Sequence, residues 1–198
     1  ELHYLRNPEP GLLFALLTDF KDANQETLPE DEVLFQYALA AIEKLNAKYE
    51  FSSLINNNGN STGNGQEKLA PQEGKKLFYF LHRKRLWNPS EGKWMGWERK
   101  RGKLHELNLL LRGGTNLSFI THTSSALAQS DALKCVRFVI TLDTDTILPR
   151  GAASRLAGTL AHPLNRAVFD DKTGQVVSGY TVLQPRMEIH PKSTNHSW

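Results

Sequence analysis

Six consecutive apolar residues, Leu12-Leu-Phe-Ala-Leu-Leu17, are opened by Pro10-Gly11 and closed by Thr18-Asp19. So short a run between turn residues predicts a strand buried on both faces, of the kind found in parallel sheets. From Glu30 to Tyr49 the period changes. Val33, Leu34, Tyr37, Ala38, Ala41, Ile42, Leu45 and Tyr49 recur at helical spacing, behind a capping box Thr27-Leu-Pro-Glu30 with Pro29 in the permitted first turn. Leu77-Phe-Tyr-Phe-Leu81 predicts a second strand, and Lys103 to Leu111 a short helix ended by Gly113-Gly114. Val136 to Leu142, rich in β-branched residues, predicts a third strand. Pro149 then opens a helix through Ala152, Leu156, Ala157 and Leu160, which stops before Pro163. Ala167–Phe169 and Val176–Leu183 flank a turn segment at 170–174 suited to a hairpin. The alternation predicts an α/β fold: a mostly parallel sheet flanked by helices, with a C-terminal β-hairpin.

Composition excludes two classes of chain. With 39% hydrophobic residues in 198, there is enough apolar surface to order a backbone, so a disordered polar chain is excluded. The run Leu12–Leu17 is far shorter than the roughly 20 residues a bilayer span needs, so no membrane span is expected. One domain is expected, with an Asn/Gly-rich flexible loop at 56–74, a loop and then a helix around Ser125 to Leu133, and a tail at 187–198. Cys135 is the single cysteine and reads as a small buried apolar group. A chain that starts on Glu1 and enters structure at once reads as a piece of a longer protein.

The formal charge of +3 is unevenly distributed. Between His82 and Lys103 lie Arg83, Lys84, Arg85, Lys93, Arg99, Lys100, Arg101 and Lys103 against Glu91 and Glu98, giving +6 there and −3 elsewhere. Trp87, Trp94 and Trp97 share that segment. Gly102-Lys103 running into a helix makes an anion site in which backbone N–H groups face a phosphate. A solvated basic face packed by tryptophans is the plainer alternative. Single-stranded nucleic acid is a third, but no broad basic surface lies elsewhere in the chain.

In α/β sheets ligands sit beyond the carboxyl ends of the strands. Asp143 and Asp145 follow the third expected strand. At positions i and i+2 of a strand their carboxylates would converge on one hard cation, Mg²⁺ or Mn²⁺. Acidic residues that simply end the strand in a turn are the competing reading. Asp19 and Asp22 follow the first strand, either as ligands for a nucleotide's base or ribose or as solvated loop carboxylates. His82, His105, His122 and His162 lack zinc-ligand spacing and read as surface or satisfied core residues.

Several blocks together resemble the glycosyltransferase domain of cyclic β-1,2-glucan synthases, a family 84 glycosyltransferase of GT-A type. They are Arg6-Asn-Pro-Glu-Pro10, Phe14 to Ala23, Phe80 to Pro89, Lys93 to Asn108, Ile140 to Pro149, Leu160 to Asn165 and Gly179 to Arg186. The resemblance spans nearly the whole chain and implies a GT-A-like, Rossmann-like partial domain. Residues 1–198 would be its nucleotide-sugar-binding half, using UDP-glucose and a divalent metal for inverting transfer to a growing β-1,2-glucan. By position, Asp143 and Asp145 would hold the metal and the diphosphate, with Asp19 near the uridine and Asp22 close by. Lys100, Gly102, Lys103 and Asn108 would correspond to the lysine-glycine-asparagine segment near the nucleotide. The catalytic base would lie outside this chain, leaving the isolated fragment soluble and inactive. The remaining domains would belong to a large protein at the cytoplasmic face of the bacterial inner membrane, with no nucleic-acid partner. Met187 to Trp198 does not share the resemblance. A non-catalytic nucleotide- or partner-binding module is the alternative.

Overall fold

The computed structural model describes residues 1–57, 76–120 and 131–186. The expected loop at 56–74 lies outside them except for its first two residues, and so does most of the helix expected around Ser125 to Leu133. The tail at 187–198 also lies outside. The chain divides into two compact units, one of Gly11–Arg137 and one of Glu1–Pro10 with Phe138–Trp198.

In the first unit, β1 (Phe14–Asp19) leads through α2 (Asp31–Asn57) to β2 (Phe78–Arg83). The two strands pair in parallel from Phe14↔Phe78 to Asp19↔Arg83. A short β5 (Phe119–Ile120) adds antiparallel to the other edge of β2. All six residues of β2 are buried, so β2 and not β1 is the doubly covered strand. β1 is an edge strand among the described residues, with Ala15 and Leu16 exposed. Successive side chains of β2 point to opposite faces. Phe78 and Phe80 meet Tyr49 and Phe35 of α2, whereas Tyr79 and Leu81 join Leu107, Leu110, Phe119 and Leu133 in the main core. Leu107 and Leu110 belong to α3 (Arg99–Leu111). The hairpin of β3 (Leu86–Asn88) and β4 (Lys93–Met95) lies between β2 and α3 in the chain. A one-turn helix α4 (Asp131–Lys134) closes the unit.

The inner face of α2 differs from the expected stripe. Val33, Leu34, Tyr37 and Ala41 are exposed, while Asp31, Phe35, Ala38, Ile42, Leu45, Asn46 and Tyr49 face inward. Two polar residues therefore sit on the buried side, each with its own partners. Asn46 Oδ1 accepts from the backbone N–H groups of Leu77 and Phe78, and its amide donates to the Phe78 carbonyl, which fixes the start of β2. Asp31 reaches back to accept from the Leu28 N–H at 2.6 Å. That bond caps α2 in place of the expected contact from Glu30.

The second unit holds α1 (Leu2–Arg6), α5 (Ala152–Ala161), a 3₁₀ turn (Pro163–Asn165) and an antiparallel hairpin of β6 (Val168–Phe169) and β7 (Val176–Ser178). The fully buried Asn7 accepts from Ala153 N–H at 3.3 Å, tying α1 to the start of α5. The hairpin lies where the sequence predicts one, its turn held by Asp170 Oδ1 accepting from Lys172 and Thr173. The third expected strand is not one: residues 136–142 carry no strand pairing, and Val139 and Leu142 are exposed. β-propensity describes fit to a half-buried pleated surface, and among the described residues no partner strand supplies that surface. Cys135 is exposed, contrary to the expectation of a buried thiol.

Candidate functional site

The parallel register of β1 and β2 places two side-chain pairs at their carboxyl ends. Thr18 lies opposite His82, and Thr18 Oγ1 is 2.6 Å from His82 Nδ1. Asp19 lies opposite Arg83, whose Nε donates to Asp19 Oδ1 at 2.6 Å. Arg83 is fully buried and uses all three guanidinium nitrogens. Nη1 donates to the Trp97 carbonyl and to Glu106 Oε1, each at 3.0 Å, and Nη2 donates to the Arg99 carbonyl at 2.9 Å. Glu106 in turn accepts from the Ser118 N–H and hydroxyl. One cation thus joins the ends of β1 and β2, the entry of α3 and the segment before β5.

Arg85 plays the parallel part for the loop after β1. It donates to the carbonyls of Lys21 and Glu26 and to both carboxylate oxygens of Asp31, at 2.5 and 2.9 Å. The guanidinium also lies 4.8 Å from the centre of the Phe20 ring. It holds the Asp31 carboxyl below its ordinary pKa.

Above these pins opens a cavity of about 260 Å³, lined by Thr18, Phe20, Leu34, Phe35, Phe80 and His82, with Asp19, Lys21, Glu30 and Asp31 also contributing to its lining. Lys21 and Glu30 pair at 2.9 Å. The walls are mainly aromatic and aliphatic, with a few convergent polar groups, which suits a small organic ligand. Burial pushes His82 down from 6.5 to about 4, with Asp19 and Asp31 opposing the shift, so its ring is neutral at physiological pH.

The expected site residues fall into three groups. Asp19 lines the cavity and binds Lys103 Nζ at 3.0 Å as well as Arg83. Asp22 pairs with Arg99 at 3.0 Å, and Arg99 also takes Glu91 at 2.7 Å. Those two carboxylates push the guanidinium's pKa up. On α3 the helix begins at Arg99, four residues before Lys103, so Gly102 lies inside it and its N–H is bonded to the Glu98 carbonyl. Gly102 is buried against Trp97. Lys100 and Asn108 are exposed, and Asn108 lies about 140° around the helix from Lys103.

The third group, Asp143 and Asp145, belongs to the other unit. Both are exposed, on a turn in which Thr146 N–H bonds the Asp143 carbonyl at 3.0 Å. The expected i, i+2 convergence at a strand end is replaced by this turn. Among the described residues no three His, Cys, Asp or Glu side chains cluster to hold a metal. Two carboxylates are the hard-oxygen donors that Mg²⁺ or Mn²⁺ takes together with phosphate oxygens.

The basic cluster is largely internal structure. Arg83 and Arg85 are buried, while Arg99, Arg101 and Lys103 are in ion pairs. Trp87 and Trp94 face each other across the β3–β4 hairpin with ring centres 5.9 Å apart, and Trp97 meets His105 edge-on. Sequence reasoning missed His82, Arg83, Arg85, Asp31 and Glu106. Extending β2 two residues past Leu81 would have found the first two, because strand alternation then puts His82 on the Phe80 face and Arg83 on the Leu81 face.

No family profile matches the chain. The curated cyclic beta-(1,2)-glucan synthase NdvB of Rhizobium meliloti (strain 1021) is 43% identical over 187 residues, which is 94% of this chain and 6% of that protein's length. Among the described residues no helix is long and apolar enough to cross a membrane. Identity of this extent, across almost all of the chain, shows that it belongs to the cyclic β-(1,2)-glucan synthase family, where it matches one segment of a far longer relative.

Proposed function

We propose that this segment binds the nucleotide sugar for a glucan synthase. The donor is UDP-glucose, the fold is of the GT-A, Rossmann-like class, and the reaction inverts the anomeric carbon. The observation that carries the reading is 43% identity over 94% of the chain to a protein named as a cyclic β-(1,2)-glucan synthase. The cavity at the carboxyl ends of two parallel strands supports it, since α/β folds place ligands there.

In this reading the uridine enters the cavity beside Thr18, Asp19 and His82. Lys103 and Lys100 supply positive charge near the nucleotide, and the ion pair of Lys103 with Asp19 sets the direction of its side chain. Asp143 and Asp145 would hold a divalent cation, which when bound offsets negative charge on the departing diphosphate. The acceptor is the growing β-1,2-glucan, and the base that activates its hydroxyl lies on another part of the long protein. The assembly works at the cytoplasmic face of a bacterial inner membrane.

Calorimetric titration of the chain with UDP, with and without Mn²⁺, tests the reading. We expect Mn²⁺ to tighten UDP binding and Asp145→Ala to lose that gain. Metal-independent binding that survives Asp143→Ala and Asp145→Ala would instead indicate a non-catalytic nucleotide-binding module. Tight, salt-sensitive oligonucleotide binding with no response to UDP would overturn the reading.

A further inference from the structure

His82 is 6% exposed and sits in a ring of aromatic side chains. Phe20 meets it edge-on with ring centres 4.0 Å apart, and Phe35 and Phe80 each lie at 5.7 Å. Nδ1 is engaged by the Thr18 hydroxyl. Nε2 is closed off from water and has no hydrogen-bond partner among the described residues. A phenylalanine would fill such an aromatic nest without leaving a polar atom unsatisfied, and unsatisfied buried polar atoms are uncommon because they are costly. The orphaned nitrogen belongs to a residue that lines the cavity at the strand ends.

We propose that His82 Nε2 is the group that recognises the base of the nucleotide sugar, pairing with an N–H or C=O on the edge of a pyrimidine. The inference rests on the nucleotide-sugar reading above and adds the residue that sets its base specificity. A neutral imidazole suits the task in either tautomer, because Nε2 can then donate to a carbonyl or accept from an imide N–H. Asp19 and Asp31 favour the charged ring and Lys103 and Arg85 oppose it, while burial holds it neutral. Nε2 is closed off from water, so a neighbouring side chain must shift for a base to reach it; Phe20 packs edge-on against the imidazole, with the Arg85 guanidinium 4.8 Å from its ring centre.

The test compares UDP with ribose 5-phosphate by calorimetry on the whole chain. The variants are His82→Phe and the double variant Thr18→Val with His82→Phe. The double variant removes both hydrogen-bonding partners, so no hydroxyl is left unpaired if the single change alone disturbs folding. We expect UDP to bind about tenfold more weakly to the variants, the scale of one lost hydrogen bond. Ribose 5-phosphate affinity should be unchanged, and the thermal midpoint of the double variant should be retained or raised. Unchanged UDP affinity in the folded variants would overturn the role of His82 and leave the function standing. Equal weakening of both ligands would also overturn it, because it would mean a change in general shape. If the unmodified chain binds neither UDP nor UDP-glucose, the functional reading falls and this inference falls with it.

Discussion

His82 is buried as a neutral ring, and that state gives the molecule a specific response to acid. Its pKa falls from 6.5 to about 4 on burial, so the unfolded chain binds a proton in a range where the folded chain does not. Stability from this residue is fully present above pH 6.5, drains away as the pH falls from 6.5 to 4, and changes no further below that. The loss is on the order of 3 kcal/mol. Asp31 is also shifted down, by its bonds to Arg85, so its contribution is lost only at still lower pH. Urea unfolding from pH 7 to pH 4 should therefore show a steady loss of stability, and His82→Phe should flatten that limb. At the same scale, Asp31→Asn would leave the Arg85 guanidinium buried and half-paired. We expect a cost of about 3–5 kcal/mol in denaturant unfolding at pH 7. A value under about 1 kcal/mol would mean that the carbonyls of Lys21 and Glu26 suffice.

Among the elements, those with a strong hydrophobic period were legible: β1, α2, β2, α3 and α5 all lie where the pattern places them. Their edges were less so, because polar residues with dedicated partners extend the buried faces. Asp31 and Asn46 belong to the inner side of α2, and counting apolar residues alone turned the stripe toward Val33 and Tyr37. The strand at 136–142 failed for the complementary reason, since a strand is made by its neighbours and the apolar run carries no record of them. α3 began early at an entry that no propensity reveals: Glu98 and Arg99 both have positive φ, and Arg83 bonds the Trp97 and Arg99 carbonyls there. Gly102 depends on that entry. A Cβ at 102 would lie 1.9 Å from the Trp97 carbonyl oxygen. Glycine to alanine inside an exposed helix normally stabilises by about 0.5–1 kcal/mol. Here Gly102→Ala should destabilise by about 2 kcal/mol or more, read as a lower thermal midpoint. A rise in midpoint would show that the α3 entry relaxes freely.

For the molecule as a whole, the net charge was readable and its use was not. A surplus of +6 between His82 and Lys103 suggested an anion surface, yet Arg83 and Arg85 spend their charge fixing backbone carbonyls and carboxylates inside the fold. Lys103, near the strand ends, is itself paired with Asp19 at 3.0 Å. The chain spans 6% of its relative's length. Among its described residues, the carboxylates at the strand-end cavity are already committed. Asp19 binds Arg83 and Lys103, and Asp31 binds Arg85. Held in these ion pairs, neither carboxylate is free to turn toward an acceptor hydroxyl, so neither suits the base that the hydroxyl requires. We therefore predict that the isolated chain, given UDP-glucose, Mn²⁺ and a β-1,2-linked gluco-oligosaccharide, binds the donor and transfers no glucose. A coupled assay for released UDP checks this. Release at the rate of the chain-free control is the expected result, and sustained, acceptor-dependent release would place a working base within these 198 residues.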